Sequence, residues 1–426
     1  MSSYIDTDEN KDGIDRRGFL KCMAWAGTGV LWMMQGGVLK SFGMSQMVDM
    51  NTGKLKDGLK IPTHDFSFVQ ISDSHIGFNK EANPDVVGTL QAAISKINAM
   101  PERPEFAIHT GDLSHLSKPS EFDTLDQLLK SAKTGKIHYV PGEHDVLNDD
   151  GQQYLERYGK GSRGKGWYSF DSHGVHFIGL VNVVNLKAGG LGQLGSDQLE
   201  WLKKDVSGLK DSTPVVVFAH IPLWNVYPQW GWGTDDSAQA LSNLKRFGSV
   251  TVLNGHIHQI IQKVEGNITF HTAMSTAFPQ PMPGMAQGPG PMKVPANQLR
   301  SMLGITDVNY MEHNHTLAVT DSPLLVAAAS SGNHDEQKNN TVSEGVNQVT
   351  IDNFSFNPQV ISVAAGTTVT WVNHDDVPHT VTATDKRFKS KALDTNDKYS
   401  YTFEKAGVYE YYCSVHPRMT GKVVVK

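Results

Sequence analysis

From Phe66 onward the chain alternates short apolar runs with longer amphipathic ones, a rhythm that predicts strands and helices in turn. FSFVQIS (66–72) predicts a strand ending in Asp73. NPDVVGTLQAAISKINAM (83–100) has helical spacing, with Asn83 as its cap and Pro84 at the first helical position. EFAIHT (105–110) predicts a strand leading into Gly111 and Asp112, SEFDTLDQLLKSAK (120–133) a helix, and KIHYV (136–140) a strand leading into Pro141 and Gly142. WYSFD and VHFIGLV read as a hairpin, and SDQLEWLKKDV (196–206) as a helix. PVVVFAH (214–220) and SVTVLNGH (249–256) are apolar enough to be buried strands, and each closes on a histidine. This order predicts an α/β sandwich with ligand-type residues at strand ends.

The pattern then breaks twice. FPQPMPGMAQGPGPMKVP (278–295) holds too much Pro and Gly for regular structure, and residues 328–347 form a polar linker. From Gln348 the apolar positions recur with period two, which predicts a small all-β sandwich over 348–426. The expected organisation is therefore an N-terminal segment (1–43), a lead-in (44–64), an α/β domain (65–327), the linker (328–347) and the β domain (348–426).

Composition changes this picture little. A net charge of −6 with mixed signs leaves no footprint for nucleic acid. In the N-terminal segment, Arg16 and Arg17 precede an uncharged run from Cys22 to Leu39. This resembles a twin-arginine export signal, with Asp15 where Ser or Thr is usual. With no clear A-x-A site, it could also stay as a membrane anchor, so a periplasmic or other extracytoplasmic location is expected. The chain has two cysteines, Cys22 and Cys413. Loss of the signal would leave Cys413 alone, a thiol for reactivity or metal rather than for a disulfide.

The strand-end residues form a series: Asp73-x-His75, Gly111-Asp112, Gly142-Glu143-His144-Asp145, His220, and Gly255-His256-Ile257-His258. Asp, His and a shared carboxylate suit a close pair of Fe, Mn or Zn ions, which can clamp a phosphate and activate water. The order and identities resemble the calcineurin-like metallophosphoesterases over roughly residues 66–320. That resemblance implies a four-layer α/β sandwich. It assigns Asp73, His75, Asp112 and His258 to one ion, and Asp112, Glu143, His220 and His256 to the other, with Asp112 bridging. His144 would face the phosphate as the catalytic residue, stabilising charge or protonating the leaving group.

The family's Gly-Asn-His-Asp/Glu string occurs intact only at residues 332–335, in the linker and after every other motif. PGEHD (141–145) stands at the right place but carries Glu143 where the family has Asn. The position decides for PGEHD, and Asn333 is a coincidence of composition. Glu143 adds a negative charge; it favours a more highly charged ion such as Fe(III) if it ligates, and weakens the second site if it turns away. Asp145 is expected to orient the loop or His144. His115, three residues after Asp112, occupies the spacing of the purple acid phosphatases' Tyr ligand, and a bystander role is the simpler expectation. His109, His138 and His176 fall within strands as core or surface residues. Met282, Met285 and Met292 could wall the site, and His313 and His315 stay ambiguous.

Near the C-terminus, Cys413, His416 and Met419 are spaced C-x2-H-x2-M on a short loop between strands, with His379 upstream in VPHTV. Two imidazoles, a thiolate and a thioether are the ligands of a trigonal copper site. Residues 348–426 resemble the cupredoxins of the amicyanin and plastocyanin type. That implies a Greek-key sandwich that binds one copper ion and exchanges single electrons with a redox partner protein. His374 is the other upstream candidate, and Asp375 and Asp376 read as a solvated turn.

Two functions follow as expectations. One is an exported hydrolase of phosphate esters, phosphodiesters favoured over monoesters because the fragments resemble the cyclic-nucleotide phosphodiesterase branch. The other is a redox protein whose copper exchanges electrons with an iron-containing dinuclear site.

Overall fold

The computed structural model describes residues 30–35, 38–43, 66–311, 316–325 and 347–426. Two sheets form the centre of the first domain. One runs in the order β2-β1-β13-β12-β3-β4-β5, from β1 (Val30–Gln35), β2 (Val38–Gly43), β3 (Phe66–Ile71), β4 (Phe106–His109), β5 (Ile137–Tyr139), β12 (Gly304–Met311) and β13 (Thr316–Pro323). The other runs β10-β11-β9-β8-β7-β6, from β6 (Tyr168–Ser172), β7 (Val175–Gly179), β8 (Val215–Phe218), β9 (Val250–Asn254), β10 (Gln262–Glu265) and β11 (Ile268–Thr272). An apolar layer that includes Phe68, Phe106, Phe177, Phe218 and Val308 lies between the sheets. Helices α1 (Val86–Asn98) and α2 (Pro119–Leu129) bury Leu90, Ile94, Phe122 and Leu125 on the outer face of the first. Helix α3 (Ser196–Val206) buries Leu202 and Val206 on the second. The four layers expected from the sequence are present.

Strands β3, β4 and β5 pair in parallel, as do β7, β8 and β9. Parallel pairing sends their carboxyl ends to one edge of each sheet, where open α/β sheets place their ligands. The second domain is a sandwich of two four-stranded sheets. β14 (Gln348–Asp352), β15 (Ser355–Asn357), β17 (Thr367–Asn373) and β19 (Lys398–Phe403) make one, and β16 (Val360–Val363), β18 (Thr382–Ala383), β20 (Gly407–Tyr412) and β21 (Thr420–Val425) the other. Trp371, Phe403, Tyr411 and Val423 fill its interior.

Several details depart from the sequence reading. The cap of α1 is Asp85, whose carboxylate accepts from Gly88 N at 2.8 Å, not Asn83. Asn83 is buried and donates instead to Ala277 O and to Thr89 Oγ1 at 3.1 Å, tying the helix start to the loop after β11. The second half of the uncharged N-terminal run forms β1 and β2, an antiparallel pair whose first strand continues the sheet from β13. Residues 1–29, including the arginine pair, lie outside the described residues, as do Asn333, His313 and His315. No helix among the described residues is long and apolar enough to cross a membrane. Met282 and Met285 are 61% and 73% exposed, so neither walls a site.

Candidate metal centres

The loops after β3, β4, β5, β8 and β9 converge on one buried cluster. Asp73 and His75 follow β3, Asp112 follows β4, Glu143 and His144 follow β5, His220 follows β8, and His256 and His258 follow β9. Donor atoms of Asp73, His75 and His258 lie within 4.8 Å of one another, and so do those of Glu143, His220 and His256. Asp112 joins the two groups: its Oδ2 is 3.5 Å from His75 Nε2 and 3.3 Å from His220 Nε2. The seven residues are brought together in the arrangement the motif order implied.

Glu143 points inward. Its Oε1 lies 2.9 Å from His256 Nδ1 and its Oε2 3.0 Å from His220 Nε2, with the side chain almost fully buried. Burial alone would raise its pKa, but the neighbouring His256 and His220 hold it well below the usual carboxylate range. The imidazole tautomers are set by backbone carbonyls, which only accept. His220 Nδ1 donates to Thr110 O at 2.7 Å, and His258 Nδ1 donates to Phe278 O at 2.6 Å. In the neutral ring each Nε2 then carries a lone pair facing the carboxylates, as a metal ligand requires. Burial lowers the pKa of His75, and the nearby His144 lowers it further, which keeps that ring neutral. At His220, by contrast, burial is outweighed by the Asp112 and Glu143 carboxylates, which raise its pKa well above the usual imidazole value, so an ion there would displace a proton.

Close approach explains the motif glycines. A Cβ at Gly142 would stand 2.0 Å from Asp112 Oδ1, one at Gly111 2.5 Å from His220 Nδ1, and one at Gly255 2.6 Å from Asp73 Oδ2. Asp145 holds the PGEHD loop by accepting from Leu113 N, Ser114 N and Gly142 N at 2.8–3.0 Å. Burial and the Asp112 charge push its pKa up to about 7. His144 donates from Nδ1 to His115 O at 2.8 Å, so its Nε2 is the free edge. His115 is 1% exposed, stacks on His144 at 5.2 Å and meets His75 edge-on at 5.7 Å. Neither of its ring nitrogens has a hydrogen-bond partner among the described residues. It belongs to the cluster rather than standing aside from it.

The second centre closes in the C-terminal domain. His379 Nδ1 and His416 Nδ1 are 3.1 Å apart, and each is 3.7 Å from Cys413 Sγ. Thr380 N donates to that sulfur at 3.4 Å. Burial would raise the thiol pKa, but the hydrogen bonds to His379 and His416 hold it well below its ordinary value, as a thiolate. Met419 is buried beside the loop, its N–H bonded to His416 O at 2.9 Å. His374 is not in the group; its N–H goes to Ile351 O at 2.8 Å.

Asp375, expected in a solvated turn, is 9% exposed and accepts from His379 Nε2 at 2.7 Å. That bond fixes His379 with Nδ1 turned to the thiolate. The spacing of four between Asp375 and His379 was the available signal. Other contributors, such as the carbonyls of Thr110 and Phe278, leave no mark in a sequence.

Both donor sets fit metal. In the first, Glu143 Oε2, His220 Nε2 and His256 Nδ1 are buried with no hydrogen bond among the described residues, converging where an ion would satisfy them. In the second, three soft or borderline donors form a triangle suited to copper.

A family model described as calcineurin-like phosphoesterase matches residues 66–260, and one described as cupredoxin-like domain matches residues 323–425. Amicyanin of Paracoccus denitrificans is 36% identical over 90 residues, covering 20% of this chain and 69% of that protein. A probable glycerophosphodiester phosphodiesterase of Arcobacter nitrofigilis is 26% identical over 227 residues, 49% of this chain and 77% of that protein. A serine/threonine-protein phosphatase of Danio rerio is 27% identical over 240 residues, 49% of this chain and 74% of that protein. The chain thus belongs to the cupredoxin-like family through its C-terminal part and joins that domain to a calcineurin-like phosphoesterase domain, a metal-dependent phosphoester hydrolase with places for two ions beside one copper.

Proposed function

We propose that the protein is an exported hydrolase that prefers phosphodiesters to phosphomonoesters, and that its copper domain carries single electrons. The observation behind the diester preference is Glu143. Its carboxylate lies between His220 and His256, adding a negative charge where the related enzymes carry neutral Asn. A diester bears one negative charge and a monoester close to two at neutral pH, so the added charge penalises the monoester more. The relative that acts on glycerophosphodiesters is consistent with this preference. Export rests on Arg16 and Arg17 ahead of the uncharged run.

Bound to these residues, two ions would supply an activated water and a Lewis-acid clamp on the phosphoryl oxygens. Asp73, His75, Asp112 and His258 would hold one, and Asp112, Glu143, His220 and His256 the other. The protein's own part is orientation. His115 O fixes the Nδ1 proton of His144. Nε2 can then take up a proton and hold it at the leaving oxygen. Asp145 pins the loop that carries Glu143 and His144. A cleft lined by Gln229, Trp230, His256, Phe354 and His416 admits the ester.

The test is hydrolysis of an aryl phosphodiester and its monoester by the full chain loaded with manganese, zinc or iron. The diester is expected to be the faster substrate. Glu143→Asn is expected to raise monoester turnover relative to diester by about tenfold, the equivalent of about one pKa unit of charge interaction. A faster monoester in the native protein, or an unchanged ratio in the variant, would overturn the reading.

A further inference from the structure

The two centres face each other across the domain boundary. The copper-site loop is clamped to the phosphoesterase domain by reciprocal bonds: Gly189 N donates to Pro417 O at 2.5 Å, and Arg418 Nη1 donates to Gly189 O at 2.6 Å. Lys80–Asp394 at 3.3 Å and Lys389–Asp150 at 3.4 Å flank it. Leu116 and Leu147, on the loops around Asp112 and Glu143, are buried in the apolar cluster of the copper domain. The consequence falls on His416. Its Nδ1 belongs to the copper triangle, while its ring centroid lies 6.3 Å from that of His144. Donor atoms of Glu143, His144 and His416 all lie within 4.8 Å of one another. One imidazole therefore touches both centres.

We propose that His416 and His144 form an internal electron path between the copper and an iron ion held by Glu143, His220 and His256. The proposal rests on the dinuclear reading of the first site. The step is one electron: Cu(II) and Fe(II) become Cu(I) and Fe(III), with no bond made or broken. Its direction follows from the donors. Thiolate and thioether favour Cu(I), whereas Glu143 and the shared Asp112 put two anionic oxygens beside that iron and favour the ferric ion. One such transfer would leave the copper reduced and the iron ferric, the state that polarises a phosphate more strongly.

The experiment uses the full chain loaded with copper and iron, its content fixed by metal analysis. The fully reduced protein is mixed with half an equivalent of ferricyanide per copper, and the blue absorption of Cu(II) is followed. Expected is a blue band that appears and then decays at a rate independent of protein concentration, while ferric resonance grows in the electron paramagnetic spectrum. With redox-silent zinc in place of iron the band persists. His144→Gln, with copper and iron content and the blue spectrum retained, slows the decay at least tenfold. A persistent band in the iron protein, or a decay rate proportional to protein concentration, overturns the path. Exclusion of iron from a site that hydrolyses esters with zinc or manganese also overturns it, and leaves the hydrolase standing. Exchange without hydrolysis under any metal does the reverse.

Discussion

Five of the seven residues around the first centre hold backbone angles that side chains normally avoid. Asp73, His75, Asp112, His256 and His258 have φ between 39° and 72°. Each such angle costs roughly 1–2 kcal/mol, and hydrogen bonds hold them in place: Asp73 N to Gly111 O at 3.0 Å, His75 N to Asp112 O at 2.9 Å, His256 N to Asp73 Oδ1 at 3.0 Å. Strain concentrated on ligands is what a preorganised site shows. At the copper centre the corresponding device is Asp375. Burial alone would lower the His379 pKa, but its bond to Asp375 and the Cys413 thiolate raise it to about 9. A ligand must be neutral, so below pH 9 copper displaces a proton and its apparent affinity rises about tenfold per pH unit up to that point. Asp375→Asn is expected to weaken copper binding by about 10–100-fold at pH 9. The deficit should narrow towards pH 6, because the variant has less proton to displace; a competitive copper titration at both pH values checks this. The ligand side chains were legible in the sequence because those of the first centre follow apolar runs and those of the copper loop keep a C-x2-H-x2-M spacing. Asp375 was not, because HDDVPH reads equally well as a solvated turn until the fold closes over it.

Among the elements, the strands that carry the ligands were the ones the pattern revealed, since β3, β4, β8 and β9 are buried along their whole length and mostly apolar, β8 (VVVF) without a break. β10, with the sequence QKVE and mostly exposed, offered no such run. The α1 cap was misplaced for a related reason. NPD offers both Asn83 and Asp85, and only the packing of Asn83 against Ala277 shows that its amide is spent elsewhere. PGEHD shows what a strand-end loop must provide. Its Gly142 has an ordinary φ of −95°, so space rather than conformation demands glycine. Gly142→Ala would drive a methyl into Asp112. Expected are a destabilisation of about 1–3 kcal/mol and loss of the ion between Asp112 and Glu143, read by thermal unfolding and metal analysis.

At the scale of the whole molecule, the sequence showed two domains and two metal sites but not their contact. Leu116, Leu147 and Phe354 read as ordinary apolar residues of their own domains. In the structure Phe354 lies edge-on to His379 at 5.2 Å and to His416 at 4.8 Å, and Leu116 and Leu147 cross into the copper domain's core cluster. Side chains separated by more than 200 residues meet there, and no local pattern records such pairing. It makes the copper domain a wall of the hydrolase cleft rather than a separate module on a linker. The most direct test is anomalous X-ray diffraction from crystals of the metal-loaded full chain, with data at the copper, iron and zinc edges. The account predicts copper at His379, Cys413 and His416, two further ions on either side of Asp112, one of them bonded to Glu143, and His416 lying between the copper and that pair. A single ion in the first centre with Glu143 turned away, or a copper domain seated elsewhere, would contradict it.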